Sequence, residues 1–164
     1  MEKFDYQLPI RIHFGQGRME ETLKTELDRY GKTVMLAFGG HALKATGLYD
    51  RLIKILKDAG KNVIDFEGIM PNPTYAKAQE GAHIARENHV DLILAAGGGS
   101  VADCCKVISA QACLDKDIWD YEYEEHQLPQ KFIPYGAIVT ASGTGAEENN
   151  GAVITNEEKH LKSP

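Results

Sequence analysis

One stretch constrains the fold more than any other: Asp91 to Lys106, which reads Asp-Leu-Ile-Leu-Ala-Ala-Gly-Gly-Gly-Ser-Val-Ala-Asp-Cys-Cys-Lys. Leu92 to Ala96 is a continuous apolar run without alternation, the pattern of a strand buried on both faces of a parallel sheet. Three glycines follow, Gly97 to Gly99, so the backbone is free to turn sharply and to approach a ligand closely. Ser100 suits the N-cap of the next helix, with Asp103 in its first turn. A strand, a bare loop and a helix start in that order bring free N–H groups and the positive end of a helix dipole to one place. Such a place suits a phosphate or diphosphate. Residues 97–102 also satisfy the loose pattern G-x-G-x-x-[GA], a weak signal by itself because a glycine run is equally an ordinary flexible turn.

The rest of the chain repeats that arrangement. Leu8 to Phe14 alternates around Pro9, with Ile10, Ile12 and Phe14 on one side, and reads as an edge strand open to a partner. Met19, Leu23, Leu27 and Tyr30 fall at helical spacing, and Gly31 ends that helix. Thr33 to Phe38 is a short apolar strand closed by Gly39-Gly40-His41. A helical stripe of Leu48, Leu52, Ile55, Leu56 and Ala59 ends at Gly60, and Asn62 to Phe66 is the next strand. Pro71-Asn72-Pro73 fixes an extended loop before a helix from Thr74 to Asn88. Strands alternating with helices, joined by connections too long for hairpins, imply right-handed β-α-β units. The fold class expected is therefore α/β, a mostly parallel Rossmann-like sheet with helices on both faces, its ligands beyond the carboxyl ends of the strands.

Beyond residue 114 the regularity breaks. Asp115 to Lys131, with its acidic run Glu122-Tyr123-Glu124-Glu125, reads as a solvated surface excursion. Tyr135 to Thr140 resumes as a strand leading into Ala141-Ser142-Gly143-Thr144-Gly145-Ala146-Glu147, a second small-residue turn opening a short helix. Ala152 to Thr155 is one more strand, followed by a polar tail. With no repeat and no linker, residues 1–164 are expected to form one domain, incomplete at its C-terminal end.

Composition excludes several classes. Eighteen Lys and Arg against 24 Asp and Glu give a net charge of −6, the wrong sign for a nucleic-acid surface. No apolar run reaches the roughly 18 residues of a membrane span, and the first residues lack a signal peptide's order, so a cytoplasmic protein with no membrane partner is expected. Cys104, Cys105 and Cys113 have no metal or redox spacing and read as small buried residues of the helix after the glycine turn. His83 and His89 are six apart and share no helix face, so they are no metal pair.

The string Gly-Gly-Gly-Ser-x-x-Asp-x-x-Lys at 97–106 resembles the signature of the iron-containing (metal-dependent) alcohol dehydrogenases, whose fold is shared with glycerol dehydrogenase and dehydroquinate synthase. Thr-x-x-Gly-Thr-x-x-Glu from Thr140, then Asn149, Val153-Ile154-Thr155 and Lys162, resembles that family's second cofactor-contacting block. With Gly39-Gly40 and Pro71-Asn72-Pro73, the resemblance covers the whole chain in order. It is strongest to the branch of NADP-dependent butanol and aldehyde dehydrogenases.

The resemblance implies an N-terminal nucleotide-binding domain and reversible hydride transfer between a nicotinamide cofactor and a primary alcohol or aldehyde. It implies Gly98, Gly99 and Ser100 on the diphosphate, and Asp103 toward the nicotinamide half. Thr140 and Thr144 fall along the adenosine or diphosphate, Asn149, Val153 and Lys162 on ribose or nicotinamide, and Ala141 among the cofactor-binding residues. Gly39, Gly40, His41 and Asn72 complete the set. Each has a plainer alternative: capping for Ser100, Asp103 and Thr144, core for Val153, a solvated tail for Lys162.

NADP(H) is expected over NAD(H), because the turn Phe38-Gly39-Gly40-His41 carries no carboxylate to receive a ribose 2′-hydroxyl and His41 offers a donor. Against the family pattern, His41 and Ala42 stand where glycine and serine are usual. The family's divalent metal, iron or zinc, is held by an aspartate and three histidines of a C-terminal helical domain, which is expected to lie outside this chain. No aspartate here is followed by histidine four residues on, so the chain by itself is expected to be inactive. Pairing through the N-terminal strand implies a homodimer. The alternative from another class is a truncated, non-catalytic dinucleotide-binding or dimerisation module.

Overall fold

The computed structural model describes residues 10–163. Four parallel strands form the central sheet: β1 (Thr33–Phe38), β2 (Asn62–Phe66), β3 (Leu92–Gly97) and β4 (Tyr135–Val139), in the order β2-β1-β3-β4. Register is continuous across the middle, with Phe38 beside Ala96 and Ala96 beside Ile138. The helices are α1 (Arg18–Leu27), α2 (Ala42–Ala45), α3 (Leu48–Asp58), α4 (Tyr75–Glu87) and α5 (Gly99–Gln111).

Because side chains alternate along a strand, the buried runs of β1 and β3 feed two cores at once. Met35, Ala37, Ile93 and Ala95 meet the small residues Ala78, Ala82 and Ala85 of α4 together with Val101, Cys104 and Ile108 of α5. Val34, Leu36, Phe38, Leu92, Leu94 and Ala96 face Leu23 and Leu27 of α1 and Leu52 and Leu56 of α3. Leu36, Leu52, Leu56 and Ile93 are fully buried, and each contributes about 2 kcal/mol of transfer free energy. Close approach of α4 to α5 depends on Gly81, where a Cβ would stand 2.4 Å from Ile108 Cδ1 and 3.0 Å from Phe66 Cε1.

Three expectations need correction. Of the proposed edge strand, residues 8 and 9 lie outside the described residues, and 10–14 are not in a strand. Among the described residues no ladder neighbours this segment, so its backbone has no sheet of this chain to join. Ile12 and Phe14 are exposed at 63% and 94%, and Arg11 ties the segment to Glu26 of α1.

Residues 115–131 are not simply a solvated excursion. Ile118 and Trp119 are buried, and a single π-helical turn spans Asp120–Glu124. Trp119 stacks on Tyr123 with centroids 4.5 Å apart and meets Tyr75 edge-on. Asp117 accepts from the Tyr75 hydroxyl at 2.5 Å and the Trp119 N–H at 2.8 Å, while Gln111 Oε1 accepts from the Ile118 N–H at 2.7 Å. The acidic run gives the segment its polar signature, but the inward positions are occupied by Ile118 and Trp119.

The chain after β4 does not end in a tail. β5 (Ile154–Asn156) and β6 (Leu161–Ser163) form an antiparallel hairpin. It docks on the proline loop, where Thr155 N–H donates to Pro73 O at 3.0 Å and Thr74 bridges to Thr155.

Candidate functional site

Beyond the carboxyl end of β3 lies a groove of about 450 Å³ lined by Gly99, Ser100, Asp103, Thr144, Ala146, Asn149, Gly151, Ala152 and Val153. Six of these, namely Gly99, Ser100, Asp103, Thr144, Asn149 and Val153, are site residues expected from sequence. They come from the start of α5 and from the chain after β4, more than 40 residues later in sequence.

A further correction concerns how the glycine turn works. Ser100 is not the N-cap: the cap is Gly98 in extended geometry, without a side-chain hydrogen bond, and α5 begins at Gly99. The Val101 and Ala102 N–H groups both donate to Gly98 O, at 3.1 and 3.2 Å. The N–H groups of Gly99 and Ser100 precede the first intrahelical bond and face the start of the helix axis, where the dipole favours an anion. None of Gly97, Gly98 and Gly99 has a positive φ, so their use is not a sharp turn. Their use is the missing side chain. A Cβ on Gly97 would stand 2.9 Å from Val101 Cβ, and one on Gly99 would stand 2.9 Å from Thr144 Oγ1 and 3.1 Å from Thr144 Cγ2. Gly99 therefore lets the 144 loop close over the start of α5.

The opposite wall is tied to α5 one turn further along. Asp103 Oδ2 accepts from the Val153 N–H at 3.1 Å. Lys106 Nζ donates to Gly151 O at 2.6 Å and to Asn149 Oδ1 at 3.1 Å, and stands 3.7 Å from Asp103 Oδ1. Asn149 in turn donates to Gly145 O at 2.8 Å. Burial lowers the Lys106 pKa, and the Asp103 carboxylate opposes that shift. Lys106 is the last residue of the Gly-Gly-Gly-Ser-x-x-Asp-x-x-Lys string and is not among the site residues expected from sequence. Its spacing of three from Asp103 was the available signal.

The remaining expected residues lie outside this groove. Thr140 and Ala141 follow β4 beside the glycine turn: Thr140 N–H donates to Gly97 O at 2.9 Å, and a Cβ on Gly98 would touch Ala141 Cβ at 3.6 Å. Gly39, Gly40 and His41 follow β1, the neighbour of β3 in the sheet. The direction of strand addition reverses between β1 and β3, the position where open α/β sheets leave a crevice. Asn72 and Lys162 meet each other, Lys162 Nζ donating to Asn72 Oδ1 at 2.6 Å, and so link β6 to the proline loop.

The β1 turn also holds a carboxylate that the sequence did not place there. Gly68 N–H donates to Gly39 O at 2.9 Å, which brings Glu67, the residue after β2, beside the turn, where it ion-pairs with Lys44 of α2. With Leu8 to Phe14 expected as a strand, Thr33 to Phe38 would be the second, and the acid would be expected at its own end. In the described sheet it is the first, and the carboxylate arrives from its neighbour.

Two of the three cysteines are placed as expected, whereas Cys113 is only partly buried and lies past the end of α5. Cys104 and Cys105 are buried in α5, and burial pushes the Cys104 thiol up to about 12. Among the described residues no three His, Cys, Asp or Glu side chains are grouped to hold a metal ion, so no step of chemistry is assigned to a metal on them. Among them, too, no helix is long and apolar enough to cross a membrane.

Comparison with known proteins fits this geometry. The chain is 44% identical over 162 residues to a Bacillus subtilis protein named probable NADH-dependent butanol dehydrogenase 1, covering 99% of this chain and 41% of that one. It is 36% identical over 157 residues to the Escherichia coli NADPH-dependent aldehyde reductase YqhD, covering 94% and 40%. The crystal structure of NADH-dependent butanol dehydrogenase A from Thermotoga maritima superposes with a TM-score of 0.91 at 34% identity, over 99% of this chain and 40% of that one. This chain thus spans about two-fifths of the length of these relatives. Residues 9–164 match the family described as iron-containing alcohol dehydrogenase, and the chain belongs to that family.

Proposed function

We propose that residues 1–164 form one nucleotide-binding domain of an oxidoreductase that interconverts primary alcohols and aldehydes. The observation that carries this reading is the groove at the start of α5, where six residues chosen from sequence line one surface. The cofactor's diphosphate would lie on the Gly99 and Ser100 N–H groups and the Ser100 hydroxyl, with Gly98 giving the backbone clearance. Thr140, Ala141 and Thr144 would border the adenosine or diphosphate, and Asp103, Asn149 and Val153 the ribose and nicotinamide. Asn72 and Lys162 would close the rim between the proline loop and β6. A bound nicotinamide would supply the hydride acceptor or donor. The chain's own part is to hold it, orient it and keep water from one side.

The cofactor choice has two readings, each with its own support. NADP(H) is favoured by a turn, Gly39 to His41, that has no carboxylate of its own and exposes His41. NAD(H) is favoured by Glu67, which stands beside that turn and could accept from a ribose 2′-hydroxyl, and by the NADH-dependent names of relatives in Bacillus subtilis and Clostridium acetobutylicum. The reading assigns no metal to the described residues. It includes a cytoplasmic location and a homodimer in which the segment Leu8 to Phe14, with Ile12 and Phe14 exposed, gains its sheet partner from a second copy. Light scattering that finds only monomer at high micromolar concentration would remove the dimer.

Calorimetric titration of the chain with NADH and with NADPH tests the central claim. Binding of either, lost in Gly99→Val while the fold is kept, is the expected result. A folded Gly99→Val that binds both as the unaltered chain does would overturn it.

A further inference from the structure

We propose that Lys106 is a positioning residue for the cofactor groove, pinning the loop 149–153 to α5 so that its far wall is formed before the ligand arrives. The inference rests on the nucleotide-binding reading above and goes beyond it, since Lys106 does not line that groove.

The loop needs such a pin. Asn149, Asn150 and Gly151 are exposed, and only the short turn Ala146–Glu148 and the three-residue strand β5 flank the loop. Three hydrogen bonds hold it from α5, and a fourth lies within the loop. Lys106 Nζ reaches Gly151 O at 2.6 Å and Asn149 Oδ1 at 3.1 Å, Asp103 Oδ2 receives the Val153 N–H at 3.1 Å, and Asn149 Oδ1 also receives the Gly151 N–H at 3.0 Å. Both anchors stand on α5, a rigid element whose other face is core.

The Lys106 side chain is 12% exposed and that of Asp103 is 17% exposed, so both anchors are largely covered while their partners on the loop are exposed. Hydrogen bonds from a charged donor are stronger than neutral ones. A single ammonium thus fixes both a backbone carbonyl and the side chain of a groove residue. It sets where Asn149 Oδ1 stands without touching what Asn149 would touch.

Location gives the pin a second consequence. Asn149, Gly151 and Ala152 line both the cofactor groove and a larger one of about 1140 Å³ on the other side, where Lys106 is joined by Trp119, Tyr123 and Tyr135. The loop is a shared partition, and Lys106 holds it from the side away from the cofactor.

Lys106→Met keeps the aliphatic stem and removes the donors, whereas Lys106→Arg keeps charge and donors. In Lys106→Met the dissociation constant for NADH should rise about tenfold, that for AMP, which lacks the half facing this loop, should change less than about twofold, and Lys106→Arg should stay within about threefold of the unaltered chain. Amide exchange at Gly151 and Val153 should quicken in Lys106→Met alone. Unchanged NADH affinity, unchanged exchange at both amides, or an equal loss of AMP binding would each overturn the inference, the last by revealing general loosening. If Lys106→Met fails to fold, Lys106→Gln serves the same comparison. Should the unaltered chain bind neither dinucleotide, the nucleotide reading falls and the ligand half of this inference falls with it, while exchange at Gly151 and Val153 still decides whether Lys106 pins the loop.

Discussion

Two glycine turns stand at the ends of adjacent strands, and they are built on different physics. After β3, Gly97 and Gly99 are closely packed: a Cβ on the first would meet Val101 at 2.5 Å and one on the second would meet Thr144 at 2.9 Å. A 13-residue helix follows, buried along much of its length. After β1, a Cβ on Gly40 would meet nothing within 4 Å and one on Gly39 only Ile69 O at 3.2 Å, and the helix that follows has four residues. Neither pair owes its glycines to a left-handed backbone. One turn needs its glycines so that protein packs on protein. The other leaves space that the described residues do not fill, and a helix of four residues offers little dipole there. The comparison separates a packed cradle from an open shelf, although the sequence writes both as glycine pairs.

The largest effect should come from the cradle's least visible glycine. Gly97→Ala forces a Cβ into Val101, a buried residue near the start of α5, and overpacking of that kind costs about 2 kcal/mol. Urea denaturation should record that loss. A midpoint equal to that of the unaltered chain would mean Val101 moves aside freely, and the cradle would not be packed at all.

Next is Gly99→Val, where the added branch meets Thr144, a residue on an exposed loop that can retreat. Stability should fall by only about 1 kcal/mol, but dinucleotide affinity should fall at least about tenfold, because the branch fills the space over the Gly99 and Ser100 amides. A stability loss larger than that of Gly97→Ala would reverse the ranking of the two positions.

On the shelf, the informative change is in charge. Glu67→Gln removes the carboxylate beside Gly39 and leaves Lys44 unpaired. Both effects favour a 2′-phosphate. At an exposed site an elementary charge a few ångströms away is worth about 1 kcal/mol, so the ratio of NADPH to NADH affinity should rise about fivefold. A ratio that does not move would place the 2′ position elsewhere than at the β1 turn.

The sequence made the cradle legible and the shelf only partly so, for physical reasons. Apolar runs bounded by glycine located β1, β2 and β3, because strands buried on both faces leave no polar interruption. The expected bounds of β1 and β2 agree with the observed ones, and β3 differs by one residue. Helix spacing likewise located α1, α3 and α4. What failed was whatever depends on a partner. Residues 10–14 carry a strand's alternation, but alternation is not a ladder. Ser100 has the chemistry of a cap, but Gly98 took that position. Trp119 is buried inside a segment whose average is acidic, because two inward side chains are enough to anchor a turn. The role of Glu67 depends on which strand neighbours β1, which is a property of the sheet order and not of local sequence. The role of Lys106 depends on the fold in the same way: the residue closes the signature string, but its partners lie 43 and 45 residues away.

The smallest predicted effect is the one that separates the two turns most cleanly, because it should have the opposite sign. Gly40 does not have a positive φ, is exposed, and has open space where a Cβ would stand. Replacing glycine by alanine at such a position narrows the unfolded ensemble without straining the folded one, which stabilises a protein by about 0.5 kcal/mol. The same substitution that costs stability at Gly97 should therefore raise it slightly at Gly40, and paired urea titrations of the two variants measure both. If the shelf is where the cofactor's 2′ end rests, Gly40→Ala should also weaken NADPH binding while leaving NADH and AMP, which have no 2′-phosphate, nearly unaffected, since the methyl group occupies space that only the larger group needs. A Gly40→Ala chain that is less stable than the unaltered one would mean that the β1 turn is packed like the β3 turn, and the distinction between cradle and shelf would be lost. A chain that is more stable and binds NADPH unchanged would keep the distinction but empty the shelf of its ligand.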